Sequence, residues 1–168
     1  SDVASWRMGI MDDAALKAQW ICDPRPLPEG RDLPARPSPM LRKEFKLGQQ
    51  VRRAIATVSA LGLYELRING RRVGDHLLAP EWTDYHTRVQ YQTYDITTML
   101  TAGDNAVGAT LGDGWYAGRI GISHIVPKGT LRAHYGRKLR FLMQVDIELA
   151  DGTTRTVVTD GSWKSTTE

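Results

Sequence analysis

The sequence predicts an all-β protein, an antiparallel, jelly-roll-like β-sandwich preceded by an irregular N-terminal arm. Three observations support this prediction. Apolar and polar residues alternate with a period of two in several short runs. Asn-Gly and Asp-Gly pairs, which suit hairpin turns, follow some of these runs. No long amphipathic helix is visible in the pattern.

Residues 1–37 are predicted to form the arm, and residues 38–168 the sandwich domain. Prolines recur between residues 24 and 39, where they interrupt any helix or central strand. Trp20 and Ile21 are large and apolar and therefore favour burial, which indicates an arm lying across the domain. A disordered leader is the alternative that composition leaves open.

The first two predicted strands differ in how their faces are covered. Leu41, Phe45 and Leu47 share one face of the first strand, and charged residues occupy the other. In residues 53–61, small and apolar side chains fill both faces, which predicts a strand covered on each side.

A hairpin follows. Residues 64–68 alternate between apolar and charged side chains, so one face of this strand is expected to be buried. Asn69 and Gly70 suit a type I′ turn, because both central residues of that turn need positive φ. The hairpin is predicted to end near Val73.

The middle of the chain predicts two further strands. Residues 88–94 are rich in Tyr, Val and Thr, which favour strands. The carboxylate of Asp95 can accept backbone N–H groups and cap a short helical turn through Leu100. Residues 103–105 are predicted to turn the chain into a strand over residues 106–111.

The clearest strand in the sequence covers residues 139–149, where every second residue is apolar. Asp151 and Gly152 then predict a two-residue hairpin turn into a strand over residues 154–159. The residues predicted to form the core are Phe45, Leu66, Ile68, Phe141, Met143, Val145 and Ile147.

Composition limits the classes of function. With 41% hydrophobic and 24% charged residues, the chain can bury a sizeable core, and no apolar run reaches the roughly 18 residues of a membrane span. The net charge of +3 without a Lys/Arg cluster does not predict nucleic-acid binding. Cys22 is the single cysteine, so no internal disulfide is expected. The start of the sequence lacks a signal-peptide pattern, which favours the cytoplasm, although a longer precursor could carry one.

A series of short blocks resembles a known family, the N-terminal β-sandwich region of bacterial α-L-rhamnosidases, which are glycoside hydrolases that remove terminal rhamnose. The resemblance covers nearly all of residues 18–164 and rests on the number and order of the blocks. The blocks are Ala18-Gln19-Trp20-Ile21, Leu41-Arg42-Lys43-Glu44-Phe45, Tyr64-Glu65-Leu66, Asn69-Gly70, Leu78-Ala79-Pro80, Trp82-Thr83-Asp84-Tyr85, Arg88-Val89, Tyr94-Asp95-Ile96-Thr97, Leu111-Gly112-Asp113-Gly114-Trp115-Tyr116 and Asp160-Gly161-Ser162-Trp163-Lys164.

The resemblance implies an accessory role. In such enzymes this region precedes a helical barrel that carries the acid and base carboxylates of an inverting hydrolysis. The resemblance ends after Lys164, before any such barrel, so no catalytic residue is predicted here and the chain alone is expected to be inactive. The implied partners are the catalytic helical barrel of the same parent chain and rhamnosyl glycosides. An independent carbohydrate-binding module and a purely structural spacer are the alternatives.

A glycine-rich loop is the first candidate carbohydrate-binding site. Asp113, Trp115 and Tyr116 combine a hydrogen-bond acceptor with two rings that can stack on a sugar, and the surrounding glycines favour their exposure. Alternatively, the two aromatic residues close the end of the sandwich or pack on the barrel.

A second candidate contains Trp82, Asp84 and Tyr85, again aromatic residues beside an acid. Pro80 restricts the preceding residue to extended conformations, which favours a loop here. Alternatively, Asp84 caps a turn and Trp82 is partly buried.

The sequence predicts no cofactor and no metal site. Asp104, Asn105 and Asp151 offer oxygen ligands for calcium, but turn formation explains them more simply, because no loop shows dense acidic spacing. Zinc is not predicted, because the histidines lack close pairs at ligand spacing. The histidines are His76, His86, His124 and His134.

Overall fold

The runs with a period of two form the strands of two antiparallel sheets in a computed structural model, which describes residues 9–10, 12–27, 36–120 and 132–167. The strands of the described residues are β1 (Met40–Leu47), β2 (Val51–Leu61), β3 (Leu63–Ile68), β4 (Arg71–Arg72), β5 (Gln92–Asp95), β6 (Gly103–Gly112), β7 (Arg140–Leu149), β8 (Thr154–Val158) and β9 (Lys164–Thr166). The sheet orders are β4-β3-β6-β1-β9 and β5-β2-β7-β8, so the predicted all-β sandwich is confirmed.

Helical segments in the described residues are short. They comprise the 3-10 turns Asp13–Ala15 and Thr97–Met99 and one α-helical turn, α1 (Gly114–Ala117). The N–H and hydroxyl of Thr97 donate to Asp95 Oδ1 at 3.0 and 2.6 Å, so Asp95 supports the second 3-10 turn as expected. No helix in the described part of the chain is long and apolar enough to cross a membrane.

The core lies between the two sheets. Leu66, Ile68, Phe141, Met143, Val145 and Ile147 are buried as predicted. Phe45 was predicted to be core but is only partly buried, because it packs at the border of the cluster. In β2, side chains from both faces are buried between Ala54 and Ala60, with Thr57 partly exposed, which fits the prediction of a strand covered on each side.

The described part of the N-terminal arm pairs with β7, an internal strand of the four-stranded sheet, beyond the residues that pair with β8. Ile21 exchanges two backbone hydrogen bonds with Phe141 of β7, at 2.9 and 2.8 Å, and the N–H of Gln19 donates to Thr159 O at 2.9 Å. Ile21 packs against the core, whereas Trp20 remains 38% exposed. Residues 1–8, 11 and 28–35 lie outside the described residues, and the boundary at residue 37 stays a prediction.

The two predicted hairpin turns differ in outcome. Asn69 and Gly70 have φ of 50° and 80°, which confirms the turn with two positive φ angles. At the second turn only Gly152 has positive φ, at 81°. Because Leu149 pairs with the carbonyl of Thr153 at 2.9 Å, the loop has three residues instead of the predicted two. The N–H and hydroxyl of Thr153 also donate to Asp151 Oδ1, which stabilises this loop.

Two predicted strand boundaries are wrong. The strand predicted over residues 88–94 begins only at Gln92, because pairing with β2 extends no further than Val58 opposite Gln92. The preceding residues form a loop in which the Ser59 hydroxyl donates to Gln90 O at 2.6 Å. The turn predicted over 103–105 belongs to β6, since Gly103 already pairs with Leu47 of β1.

Candidate functional site at one end of the sandwich

Several strands begin or end at the same end of the sandwich. Gly112, the last residue of β6, lies opposite Leu63, the first residue of β3. In the other sheet Leu61 at the end of β2 lies opposite Arg140 at the start of β7. The segments after β6 and before β7 therefore lie together. We call the segments 78–91, 113–118 and 132–138 the aromatic end.

The glycine-rich segment after β6, which the sequence predicts to be a loop, contains a helical turn. The N–H of Ala117 donates to Asp113 O at 3.0 Å, and Ala117 is buried. Gly114 has φ of 50°, and a Cβ here would lie 2.6 Å from Leu63 Cγ, so only glycine fits without displacement. This turn places Trp115 on the same side of β6 as the loop that follows β4.

That loop is held against the start of β3. The N–H of Tyr64 donates to Ala79 O, and the N–H of Glu81 donates to Leu78 O, both at 2.8 Å. The Ala79–Pro80 peptide bond between these two contacts is cis. The loop expected around Pro80 is thus present, and it directs Trp82 and the residues after it towards the aromatic end.

The two candidate sites of the sequence analysis meet in one cluster. The rings of Trp82 and Trp115 stack with centroids 6.0 Å apart and planes inclined by 7°. Tyr85 meets Tyr116 edge to face, with centroids 5.2 Å apart. Both geometries are favourable for aromatic pairs. Residues that the sequence suggests as two separate sites therefore share a single surface.

Tyr135 joins this cluster and was missed by sequence reasoning. Its ring centroid lies 5.1 Å from that of Tyr85, and its hydroxyl accepts a hydrogen bond from Trp82 Nε1 at 3.3 Å. His86 and His134 lie 5.3 and 4.8 Å from the Tyr135 ring. In the sequence, Tyr135 is notable only as part of the adjacent pair His134-Tyr135 before the clearly predicted strand over residues 139–149. This pair does not indicate which residues the Tyr135 ring contacts.

The two acidic residues of the candidate sites have different surroundings. Asp113 forms an ion pair with Arg132, and their side chains are only 25% and 13% exposed. Asp84 is 60% exposed and accepts hydrogen bonds from the Thr87 hydroxyl at 2.9 Å and the His86 N–H at 3.1 Å. A carboxylate has about four acceptor positions, so Asp84 can accept further donors from solution.

These contacts set the protonation of the cluster. The hydroxyl of Thr87 and then the backbone N–H of His86 hold the pKa of Asp84 below its usual value. Burial, followed by the nearby Tyr135, raises the pKa of Tyr85, whose hydroxyl donates to Glu81 O at 3.1 Å. At neutral pH the cluster therefore presents the neutral phenol of Tyr85 and the ionised carboxylate of Asp84.

The residues considered as metal ligands have other partners. Asp104 approaches Lys46 Nζ at 3.8 Å, and Asn105 is buried with hydrogen bonds to Thr101 and Gly103. His124 lies outside the described residues. Among the described residues, no three His, Cys, Asp or Glu side chains form a group that could hold a metal ion.

The fold and the aromatic cluster together define an all-β sandwich domain with an aromatic surface at one end. Residues 49–168 match the family model described as the α-L-rhamnosidase N-terminal domain. The chain belongs to this family, which confirms the resemblance noted from its sequence blocks.

Known proteins agree with this assignment. The α-L-rhamnosidase of Streptomyces avermitilis is 41% identical over 168 residues, covering 95% of this chain and 15% of that protein. The structure of native α-L-rhamnosidase from Aspergillus terreus superposes with a TM-score of 0.80 at 40% identity, covering 89% of this chain and 16% of that one. The structure of the Streptomyces avermitilis enzyme complexed with L-rhamnose has a TM-score of 0.71 at 43% identity, covering 77% of this chain and 12% of that one. This chain thus spans under a fifth of these relatives.

Proposed function

We propose that this chain is the accessory N-terminal domain of an α-L-rhamnosidase that hydrolyses terminal non-reducing α-L-rhamnose from glycosides. In this proposal the aromatic end faces the catalytic helical barrel of the parent chain and supports access of the substrate. The convergence of Trp82, Tyr85, Trp115 and Tyr116 in one surface carries the proposal. If each segment only closed its own part of the sandwich end, the rings of two segments far apart in the chain would not need to contact each other.

The exposure of Trp82 supports a surface role. Its side chain is 48% exposed although one ring face stacks on Trp115. Exposing a tryptophan ring to water costs free energy, because the ring has a large apolar area. Tryptophan is also enriched where a protein surface contacts another molecule. Because Trp82 Nε1 already donates to Tyr135, the ring has a defined orientation.

Direct binding of sugar by this domain is the second candidate. Trp82 is partly exposed and precedes Asp84 by two positions in the sequence. The carboxylate of Asp84 is 60% exposed. An aromatic face and a nearby acceptor together suit the C–H face and the hydroxyl groups of a sugar. In this version five of the residues predicted from the sequence contact the sugar: Trp115, Tyr116, Trp82, Asp84 and Tyr85. The sixth, Asp113, supports them through its ion pair with Arg132.

Kinetics of the parent enzyme, measured with an aryl α-L-rhamnoside, test the first candidate. We expect Trp82→Ala to lower kcat/KM at least about tenfold, which is about 1.4 kcal/mol of transition-state stabilisation. The free energy of unfolding of the 168-residue chain should change by less than about 1 kcal/mol, because the side chain is half exposed. Phe45→Ala is the control, because Phe45 is a partly buried aromatic residue that lies opposite Asn105, towards the other end of the sandwich. Normal kinetics with a strongly destabilised chain would make Trp82 a structural residue.

Titration of the 168-residue chain with L-rhamnose tests the second candidate. Saturable quenching of tryptophan fluorescence that disappears in Trp82→Ala and persists in Phe45→Ala would support direct binding. The chain itself should not hydrolyse the aryl rhamnoside. Turnover that follows the pure chain through a sizing column would contradict the proposal that catalysis resides in the barrel.

A further inference from the structure

The exposed large apolar side chains of the described residues all lie near the aromatic end. Leu77 and Leu78 are the most exposed, at 75% and 57%. Single exposed apolar residues are common on protein surfaces, but a group at one end indicates a contact surface. The members of the group are Trp20, Met40, Leu77, Leu78, Trp82 and Tyr91.

Strand register shows that the group shares this end. Met40 begins β1 and pairs with Thr110 near the end of β6. Tyr91 directly precedes β5, and Trp20 precedes Ile21, which pairs with the second residue of β7. Leu78 is next to Ala79, whose carbonyl accepts from the second residue of β3. The apolar residues thus surround the strand ends that also carry the aromatic cluster.

The two leucines are held outward by an ordered turn. Leu78 has φ of 59° and Glu81 has φ of 75°, conformations that residues with a Cβ rarely adopt. Hydrogen bonds from Glu81 to Leu78 O and from Gln92 Nε2 to Pro80 O fix this geometry. A backbone that is strained and yet firmly bonded commonly belongs to a functional surface.

The remaining part of related enzymes is well placed to cover these leucines. The matched region occupies 16% and 17% of the Aspergillus terreus and Dictyoglomus chains, so most of each enzyme lies outside it. The matched family model describes an N-terminal domain, so the rest of an enzyme that contains this domain follows it in the sequence. In this chain the last strand, β9, ends with Thr166 opposite Met40, at the same end as the leucines.

We propose that Leu77 and Leu78 dock into an apolar depression on the catalytic part of the parent rhamnosidase and anchor this domain to it. The inference rests on the proposed accessory function, and it assigns the anchoring to the leucines rather than to the aromatic cluster. A backbone that is already ordered suits this role, because it loses little conformational entropy when its apolar side chains are covered.

A double substitution, Leu77→Ser with Leu78→Asn, tests the inference in the full-length parent and in the 168-residue chain. Asn tolerates the positive φ of position 78, so the chain alone should keep its thermal midpoint. The parent should melt at a lower temperature, and its amide exchange over residues 74–82 should become at least about tenfold faster. Gly48→Ser with Gln50→Asn introduces the same residue types in the exposed turn at the opposite end and should change neither protein.

Any other outcome contradicts the proposed docking of Leu77 and Leu78. An unchanged parent would mean that the leucines face water there, and equal destabilisation of both proteins would mean that they stabilise only this domain. A concentration-dependent dimer of the parent that the double substitution abolishes would assign the leucines to a second copy. The kinetics of Trp82→Ala are measured separately, so the proposed accessory function can fail or stand independently of this result.

Discussion

Replacing Phe141 by Ala tests the packing between the two sheets directly. Phe141 is 0% exposed, and its ring meets those of Tyr64 and Trp163 edge to face, with centroids 6.0 and 5.8 Å away. On the backbone it pairs with Ala60 of β2 on one side and exchanges hydrogen bonds with Ile21 of the arm on the other. It is therefore the residue where both sheets and the arm meet.

The expected loss of stability follows from this environment. A buried Phe→Ala change costs about 3–5 kcal/mol, from lost transfer free energy and from the cavity left behind. Each edge-to-face contact adds about 0.5–1.5 kcal/mol beyond area burial. Because β2 on one side and the arm residue Ile21 on the other hold the backbone of Phe141, the cavity cannot collapse easily. We therefore expect a cost in the upper half of the range, about 4–5 kcal/mol.

Urea denaturation of the 168-residue chain measures this cost as a shift of the midpoint at constant slope. The other phenylalanine of the chain, Phe45, supplies the control, since it is only partly buried. Phe45→Ala should cost about 1–2 kcal/mol, because part of the ring contacts water in the folded state. A cost for Phe141→Ala below about 1 kcal/mol, or below that of Phe45→Ala, would refute the assignment of the core.

Two further predictions concern a turn and a carboxylate. Gly70→Ala should cost about 1–2 kcal/mol in the same melts, because φ at this position is 80° although no atom obstructs a Cβ; Gly161→Ala, which is also unobstructed but lacks positive φ, should cost close to nothing. The hydroxyl and then the N–H of Thr97 lower the pKa of Asp95, so this carboxylate stabilises the fold above its unfolded pKa and loses that effect as the pH falls through its folded pKa. Asp95→Asn should therefore destabilise the chain at pH 7, and the difference from the wild type should shrink below about pH 4; a difference that is independent of pH would contradict this.

The strands that one sequence predicts most clearly are those in which apolar residues recur at every second position. In residues 64–68 and 139–149 every second residue is apolar, and the structure buries these side chains except that of Leu149, which is partly buried. Leu142 and Gln144, on the other face of the second strand, are buried as well. Residues 88–91 show why composition alone misleads. Their β-branched and aromatic side chains favour a strand, but no neighbouring strand pairs with them, and strand propensity depends mainly on such neighbours.

The candidate site could be predicted in its parts but not in its assembly. Aromatic residues beside acids mark Trp82–Tyr85 and Asp113–Tyr116 as notable segments, and nothing in either segment indicates the other. They meet because Leu63 and Gly112 are opposite each other in the register of β3 and β6. The pairing register of two strands that are far apart in the sequence depends on the tertiary fold. The periodicity within one strand does not predict it.

The two acidic residues of the aromatic end have different roles. Flanking glycines predict an exposed Asp113, but Arg132, from a segment that returns to α1, pairs with it and covers much of its side chain. Asp84 caps its own turn through Thr87 and His86 and still remains open to water. A sugar placed on the Trp82 ring would therefore find its acceptor in Asp84, while Asp113 holds the helical turn that supports Trp115. Asp84→Asn should weaken any sugar binding without loosening that turn, whereas Asp113→Asn should loosen it.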